Sequence, residues 1–483
     1  MTTEHRLLID GELLHAEGGR VFENENPATE EIAGTAPDAS AADAERAVLA
    51  ARRAFDATDW SRDAAFRRAV ITRFAELLQD RLEDIRPALI AESGMPVGFA
   101  KMLGVDPAIP NLLRYLDMAD QIHGREIPPA TIFGRNVRRQ VRREAVGVVV
   151  AITPWNVPFE LNLRKVGQAL VTGNTVVLKP APQTPWSATL IAEAAVQAGF
   201  PPGVLNILTT ADNAVAGALT AHPAVDQITF TGSTETGRRI MATAAATVKR
   251  VGLELGGKSP AILLDDAPAF EATVKGIAGG VCTIAGQGCT LLTRLLVPRA
   301  RMDEAAQIAA DAVAAVRYGD PTDPTVSMGP LVNAAQRERV LGYMEAGKRE
   351  ARLIAGGGRA EQFERGYFVQ PTIFADVPPD AVIAKEEIFG PVLSIIAHDG
   401  DDDAIRIAND SIFGLSSAVF GTDPARIEHV TGRLRAGIVT VNGAPWFDVA
   451  SPFGGYKQSG LGREFGHEGL EEFTEIKTVA LPA

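Results

Sequence analysis

The sequence predicts an α/β protein built on parallel sheets with helices on both faces. Segments of helical period alternate with short β-branched runs that stop at Gly or Pro over most of the length. The runs are continuously apolar, the pattern of strands covered on both sides. Bulk agrees: 483 residues, 46% hydrophobic and 22% charged with both signs interspersed, give a globular chain with a large core rather than a disordered or fibrous one.

In chain order, residues 41–55 and 63–93 read as long amphipathic helices, with Ser40 as N-cap of the first and Gly94 as the stop of the second. Strands are expected over 148–153, 175–179, 204–208 and 227–231, with helices over 188–198 and 214–221 between them, a βαβαβ run. A second α/β set starts near Leu263, with helices over 269–283, 305–316 and 334–347 and strands over 295–297 and 393–396. Gly356, Gly357 and Gly358 mark a tight loop, and neither a Pro- or Ser-rich hinge nor a repeat of fixed period divides the halves. The tail, 474–481, alternates as a terminal strand with no partner following it, which suggests pairing with another subunit.

Lys plus Arg number 47 against 60 Asp plus Glu, a net charge of −13 that argues against a general nucleic-acid binder. Two cysteines, Cys282 and Cys289, make neither a disulfide framework nor a CxxC metal site, so a reducing, cytoplasmic setting is expected. Residues 1–10 carry charges and lack an export signal, and the long uncharged window 275–294 holds too many glycines for a membrane span. Arg135, Arg138, Arg139, Arg142 and Arg143 form a basic stripe, read as the solvated face of a strand, with anion binding as the alternative. No HExxH or paired His/Asp cluster calls for a metal, and neither His222 nor His467 is spaced to serve a nucleophilic cysteine.

Five places could carry chemistry. The turn Thr231-Gly232-Ser233-Thr234-Glu235-Thr236-Gly237 follows a strand and opens a helix, where amides and hydroxyls meet phosphate, though a plain tight turn reads the same way. Lys179 ends a strand of the same set, at the edge where open α/β sheets bind ligands. Cys289, after Gly286-Gln287-Gly288, is a candidate nucleophile, whereas Cys282 sits on the apolar period of a helix and reads as inert. Glu254 lies among apolar residues and glycines, where a carboxylate is costly unless used, and is a candidate general base. Asn156, just past a buried strand, could offer its amide to an oxyanion together with the Cys289 amide.

Taken together, Pro154-Trp155-Asn156, Lys179-Pro180, residues 230–237, 253–260 and 286–289, Glu386-Glu387-Ile388-Phe389-Gly390-Pro391 and residues 452–460 resemble the aldehyde dehydrogenase superfamily in identity and order. Asn26-Pro27-Ala28-Thr29 and Gly462-Arg463-Glu464 extend the likeness from about Leu8 to Val479. The resemblance implies NAD(P)-dependent oxidation of an aldehyde to its acid, of the hydrolytic rather than the CoA-acylating type. Cys289 would form a thiohemiacetal and then a thioester, Asn156 would hold the oxyanion, and Glu254 would activate the hydrolytic water. Lys165 and Glu464 match a proton path to that base. A CoA-acylating enzyme tends to lack a carboxylate at the position of Glu254.

The same resemblance implies a Rossmann-like dinucleotide-binding domain over 1–120 and 145–255, an α/β catalytic domain over 256–457, and a small β oligomerisation extension over 121–144 and 458–483. It places Ile152, Thr153, Pro154, Trp155, Lys179, Gly232, Ser233, Leu255, Gly256, Glu387 and Phe389 around the cofactor. Many NAD-preferring members carry Glu where this chain has Pro182, but no arginine stands beside it to hold a 2′-phosphate, so NAD is expected ahead of NADP. Val157, Arg164, Gly288, Thr290, Trp446, Phe447 and Phe453 match the aldehyde tunnel, with Arg164 a charge where many members have an aromatic residue. A homodimer or homotetramer acting on a small-molecule aldehyde, with neither nucleic acid nor membrane as partner, completes the expectation.

Overall fold

The computed structural model describes residues 5–482. Residues 1–4 and 483, which the expected domain bounds include and of which 1–4 belong to the segment read for an export signal, lie outside the described residues. The chain opens with two antiparallel pairs, β1 (Leu7–Ile9) with β2 (Glu12–Leu14) and β3 (Val21–Asn26) with β4 (Glu31–Pro37). Helices α1 (Ala41–Ala57), α2 (Ala64–Gln79), α3 (Leu82–Ser93), the single turn α4 (Val97–Phe99) and α5 (Ala108–Ala119) follow, then the hairpin of β5 (Arg125–Ile132) and β6 (Arg135–Ala145). Strand and helix then alternate through β7 (Val148–Ile152), α6 (Pro158–Val171), β8 (Thr175–Lys179), α7 (Trp186–Ala198), β9 (Leu205–Ile207), α8 (Asn213–Ala221), β10 (Gln227–Thr231), α9 (Thr234–Ala244) and β11 (Arg250–Glu254).

The second half holds β12 (Pro260–Leu263), α10 (Phe270–Gly280), β13 (Arg294–Pro298), α11 (Met302–Ala314), α12 (Ala334–Glu350), β14 (Arg352–Ala355), β15 (Thr372–Ala375), β16 (Val392–His398), β17 (Ser416–Phe420), β18 (Ile438–Val441), β19 (Gly460–Leu461) and β20 (Thr474–Pro482). One sheet runs β19-β11-β10-β7-β8-β9-β1-β2, a second β14-β15-β16-β13-β12-β17-β18, and a third β20-β6-β5. In the first, β11, β10, β7, β8 and β9 are parallel, and in the second only β14 runs against its neighbour.

The valine runs explain why helices cover both faces. Side chains alternate across a strand, so Val148, Val150 and Ile152 of β7 join one apolar cluster with Val215, Leu219 and Ile240 of α8 and α9. Val149 and Ala151 point into another with residues of α2, α5, α6 and α7. A third cluster fills the second sheet.

Local chemistry sets several helix ends. Ser40 and Asp43 form a reciprocal capping box at the start of α1, and Gly94 ends α3 in the left-handed conformation that glycine adopts without strain. The expected helix over 63–93 is two helices: the chain leaves helical geometry at Arg81, whose guanidinium donates to the Leu190 carbonyl and to Glu193 of α7. A tertiary contact thus breaks what periodicity alone continues. Helix α7 begins two residues earlier than expected, because the buried carboxylate of Glu92 accepts the backbone N–H groups of Trp186 and Ser187. The helix expected over 269–283 stops at Gly280, where two glycines in succession are poor helix formers.

The tail finds its partner within the chain. β20 pairs antiparallel with β6 from Thr474 opposite Ala145 to Pro482 opposite Val137, as the grouping of 121–144 with the C-terminal segment expects, and it is an edge strand of the third sheet. The segment expected wholly in the extension is divided, since Gly460 and Leu461 pair with Glu254 and Leu253 at the edge of the first sheet. The five arginines lie on β6, where alternation divides them, Arg135, Arg139 and Arg143 on one face and Arg138 and Arg142 on the other, with Arg143 paired to Glu471. Among the described residues no helix is long and apolar enough to cross a membrane. Breaking the capping box with Ser40→Ala is expected to lower stability by about 1 kcal/mol, read as an earlier urea midpoint.

Candidate active site

Parallel register brings the sequence-predicted residues of the first sheet to one edge. Ile152 stands opposite Lys179, Phe230 opposite Ile152, and Thr231 opposite Glu254, so Thr153, Lys179, Gly232 and Glu254 all lie where the strands end. Lys179 is buried with no acceptor for its ammonium among the described residues, and burial pushes it down to about 8. Ser233 caps α9, accepting from the Thr236 amide at 3.2 Å while staying exposed. A Cβ on Gly232 would sit 2.4 Å from the Phe230 ring, and one on Gly256 2.4 Å from the Glu387 carboxylate. These two glycines, the unpartnered Lys179 and the buried, unbonded Thr231 hydroxyl make a cleft that fits a dinucleotide: backbone open to close approach, with spare polar groups at strand ends.

Glu387 and Phe389 reach the same cleft from the second sheet. The Glu387 carboxylate accepts from the Gly257 amide at 2.8 Å, and burial pushes it up to about 7 against the pull of that amide, Lys258 and Arg339. Phe389, at positive φ, meets Trp155 edge to face with centroids 5.4 Å apart.

Cys289 sits on the loop between α10 and β13 of the second half. Ile284, Ala285 and Gly286 take left-handed φ in succession, and a Cβ on Gly286 would lie 2.0 Å from the Gly390 carbonyl carbon. Strain at Ile284 and Ala285 and close backbone contact at Gly286 together fix the approach to the thiol. Gln287 locks the loop: Oε1 accepts the Val332 amide, Nε2 donates to the Ile284 carbonyl, and its own carbonyl accepts Asn156 Nδ2 at 2.9 Å. An amide nitrogen carries two hydrogens, so Asn156 is oriented by one and keeps the other. Burial and then the charges of Glu387 and Glu254 push the Cys289 thiol up to about 12. Cys282 is buried, donating to the Ala278 carbonyl, with its thiol likewise pushed up to about 12 by burial.

Glu254 is 4% exposed, and its Oε2 has no hydrogen-bond partner. Burial and the neighbouring Glu464 charge drive its carboxyl well above the ordinary range, against Lys165, Arg164 and Arg463. Glu464 goes the other way: Lys165 Nζ at 2.5 Å and Arg164 Nη1 at 3.1 Å outweigh burial and hold it below that range. A small cavity, about the size of a single water, is lined in part by Lys165, Glu254, Arg463, Glu464 and Glu472.

Apolar walls complete the site. Val157, Cys289 and Trp446 pack on the cluster that includes Leu112, Tyr115, Phe453 and Phe465. Trp446 stacks on Phe453 at 5.7 Å and meets Phe447 at 5.4 Å, while Gly288 and Thr290 flank the thiol, half-buried. Arg164 departs from its expected place as a charge in the tunnel. Its side chain is 7% exposed, clamped to Glu160 and Glu464 beneath the Phe447, Phe453 and Phe465 rings.

Sequence comparison agrees with this geometry. The aldehyde dehydrogenase family model matches residues 14–479. The chain belongs to the aldehyde dehydrogenase family. It is an NAD(P)-dependent aldehyde dehydrogenase, oxidising an aldehyde to its acid with NAD as cofactor. Geranial dehydrogenase of Castellaniella defragrans is 40% identical over 100% of both chains. Among solved structures, the NAD+ complex of aldehyde dehydrogenase from Bacillus cereus superposes with a TM-score of 0.95 at 39% identity, covering 99% of this chain and 97% of that one. A variant of aldehyde dehydrogenase C from Pseudomonas syringae, with NAD+ and octanal, gives 0.92 at 40% identity, covering 98% and 96%.

Two residues of this aldehyde dehydrogenase escaped sequence reasoning. Glu160 carried a signal, its i, i+4 spacing from Arg164 on α6, whereas Gln287 carried none, since its partners come from distant segments. Gly286→Ala is expected to lower NADH formation by about tenfold or more through displacement of the thiol. Gly276→Ala, in open space on α10, is expected to leave the rate unchanged.

Proposed function

We propose that this chain oxidises a neutral apolar or aromatic aldehyde with NAD, and that water rather than CoA takes the acyl group. The observation that carries the reading is a buried carboxyl with one oxygen unpartnered, Glu254, within electrostatic reach of the Cys289 thiol. Cys289 Sγ bonds to the aldehyde carbon while the thiol proton passes to Glu254. Asn156, through its free Nδ2 hydrogen, and the Cys289 backbone amide donate to the oxygen that becomes negative. NAD, when bound, supplies the acceptor for two electrons and the hydrogen of that carbon, leaving a thioester on Cys289. Glu254, its first proton released through a water in the small cavity that Lys165 and Glu464 line, accepts a second from water as its oxygen attacks the thioester. The C–S bond breaks and the thiolate leaves.

Lys179 would hold the adenosine ribose, Gly232 and Ser233 the pyrophosphate, and Glu387 and Phe389 the nicotinamide riboside. Ile152, Thr153, Pro154, Trp155, Leu255 and Gly256 would line the cleft. Pro182 leaves the ribose without a carboxylate, and the lack of an adjacent arginine favours NAD over NADP. For the aldehyde, the aromatic wall and the internal neutralisation of Arg164 support an uncharged substrate. The geranial-oxidising relative and the octanal complex support the same class.

The proposed division is 1–120 with 145–255, 256–457, and 121–144 with 458–483, Gly460 and Leu461 excepted. A homodimer or homotetramer through the third sheet is supported by Phe133, wholly exposed at the hairpin tip, and by exposed Ile132 and Ile476. Two free cysteines support a cytoplasmic setting.

Cys289→Ala is expected to abolish NADH formation with aldehyde while retaining NAD binding by titration. Glu254→Gln is expected to give no more than about one equivalent of NADH per site and then stop, the thioester unhydrolysed. With wild type, octanal and phenylacetaldehyde are expected to outpace succinic semialdehyde and betaine aldehyde in kcat/KM, and added CoA to leave the rate unchanged. A preference for the charged pair would overturn the substrate reading. Because Glu254 is raised and must be ionised to accept a proton, hydrolysis is expected to fall as pH drops through a point well above the ordinary carboxylate range, a limb read from steady-state rate against pH.

A further inference from the structure

Glu160 and Arg164 lie one turn apart on α6, 3% and 7% exposed. Arg164 donates from Nε and Nη2 to both oxygens of Glu160, at 2.9 and 2.7 Å, and from Nη1 to Glu464 Oε2 at 3.1 Å. The other Glu464 oxygen is taken by Lys165, which also donates to Thr229 Oγ1 at 3.0 Å. Each Glu464 oxygen therefore has its own cation, while Glu254 Oε2 has no partner. The Phe465, Phe453 and Phe447 ring centroids lie 4.3, 5.3 and 5.7 Å from the guanidinium carbon, which packs it against apolar rings. The other ionisable groups facing the cluster are Tyr115 of α5, the Cys289 thiol, Arg463 next to Glu464 in the chain, and Glu472 across the small cavity.

We propose that Arg164, held by Glu160, is a positioning residue for the base: it keeps Glu464 ionised and fixed, so that the proton moved in each turnover resides on Glu254. This rests on Glu254 being the base. In a low-dielectric site, carboxylates close together compete for a proton, and the one with the poorer set of cations takes it. With Arg164 present that one is Glu254. Without it, Glu160, Glu464 and Glu254 share Lys165 and Arg463, and protons are retained to higher pH. Glu160 serves to offset the extra cation, so the cluster gains a hydrogen-bond donor to Glu464 without a net positive charge. The pKa directions agree, Glu464 lying below and Glu254 above the ordinary range, with Arg164 pulling both down.

The test is the pH dependence of the hydrolytic phase of NADH formation at saturating aldehyde and NAD, with thermal melting to monitor folding. Arg164→Gln is expected to move the acid limb up by about one pH unit, because a cation that favoured ionised Glu254 is gone. Arg164→Lys is expected to retain most of the limb position. Glu160→Gln, which removes a neighbouring negative charge, is expected to move the limb down, and the double Glu160→Gln, Arg164→Gln variant to return it near wild type. If Arg164→Gln does not fold, the opposite shift in Glu160→Gln and the near-wild-type limb of the double variant decide the matter. An unmoved limb with rates lowered equally at every pH, or a double variant displaced as far as the single one, would overturn the proposal. Glu254→Gln separates the two readings. Sustained hydrolysis in that variant sinks the base assignment, whereas its loss together with an unmoved limb in Arg164→Gln sinks only the role of Arg164.

Discussion

Backbone touching backbone around the Cys289 loop is the constraint on which this site depends. Gly257 has the Cys289 carbonyl oxygen 2.3 Å from where its Cβ would be, and Gly286 stands as closely against Gly390 and Pro391. No side chain mediates these contacts, so the thiol, the Glu387 carboxylate and the ends of β10 and β11 are placed relative to one another by covalent geometry and hydrogen bonds rather than by rotamers. Ser459 ties the same junction, donating to the Gly256 carbonyl at 2.6 Å and accepting from the Gly414 amide at 2.9 Å.

Against that rigid frame the charges divide into two sets. Glu160, Arg164, Lys165 and Glu464 are mutually satisfied, the arrangement that makes buried ions tolerable. Glu254 and Lys179 are buried and Cys289 half-buried without such satisfaction, and their ionisation is displaced accordingly. Glu464 belongs to the first and acts on the second, which makes it the hinge between them.

Much of the architecture is legible in the sequence because it is local. The valine runs of β7 and β8, the Ser40 capping box and the Gly94 terminator each state their own structure, and the motifs around Asn156, Glu254 and Cys289 are recognisable in order. What is illegible depends on partners far along the chain. The break at Arg81 needs Glu193, and the early start of α7 needs Glu92. Arg164 shows the same limit at the site itself: its type suggests a charged tunnel, whereas Glu464, 300 positions away, turns it inward.

That separation has a kinetic meaning. The contact between Lys165 and Glu464 spans 299 positions, and loop-closure entropy must be overcome before so distant a pair can form. Strands β7 to β11 can assemble from nearby segments, yet the carboxylate that governs the base arrives only with the strand pairing that binds the end of the chain back to the first sheet. A partly folded chain can therefore acquire a nucleotide cleft before it acquires hydrolysis. Recovery of turnover after dilution from denaturant reports completed long-range topology, while recovery of affinity for the adenosine half of the dinucleotide reports the first sheet.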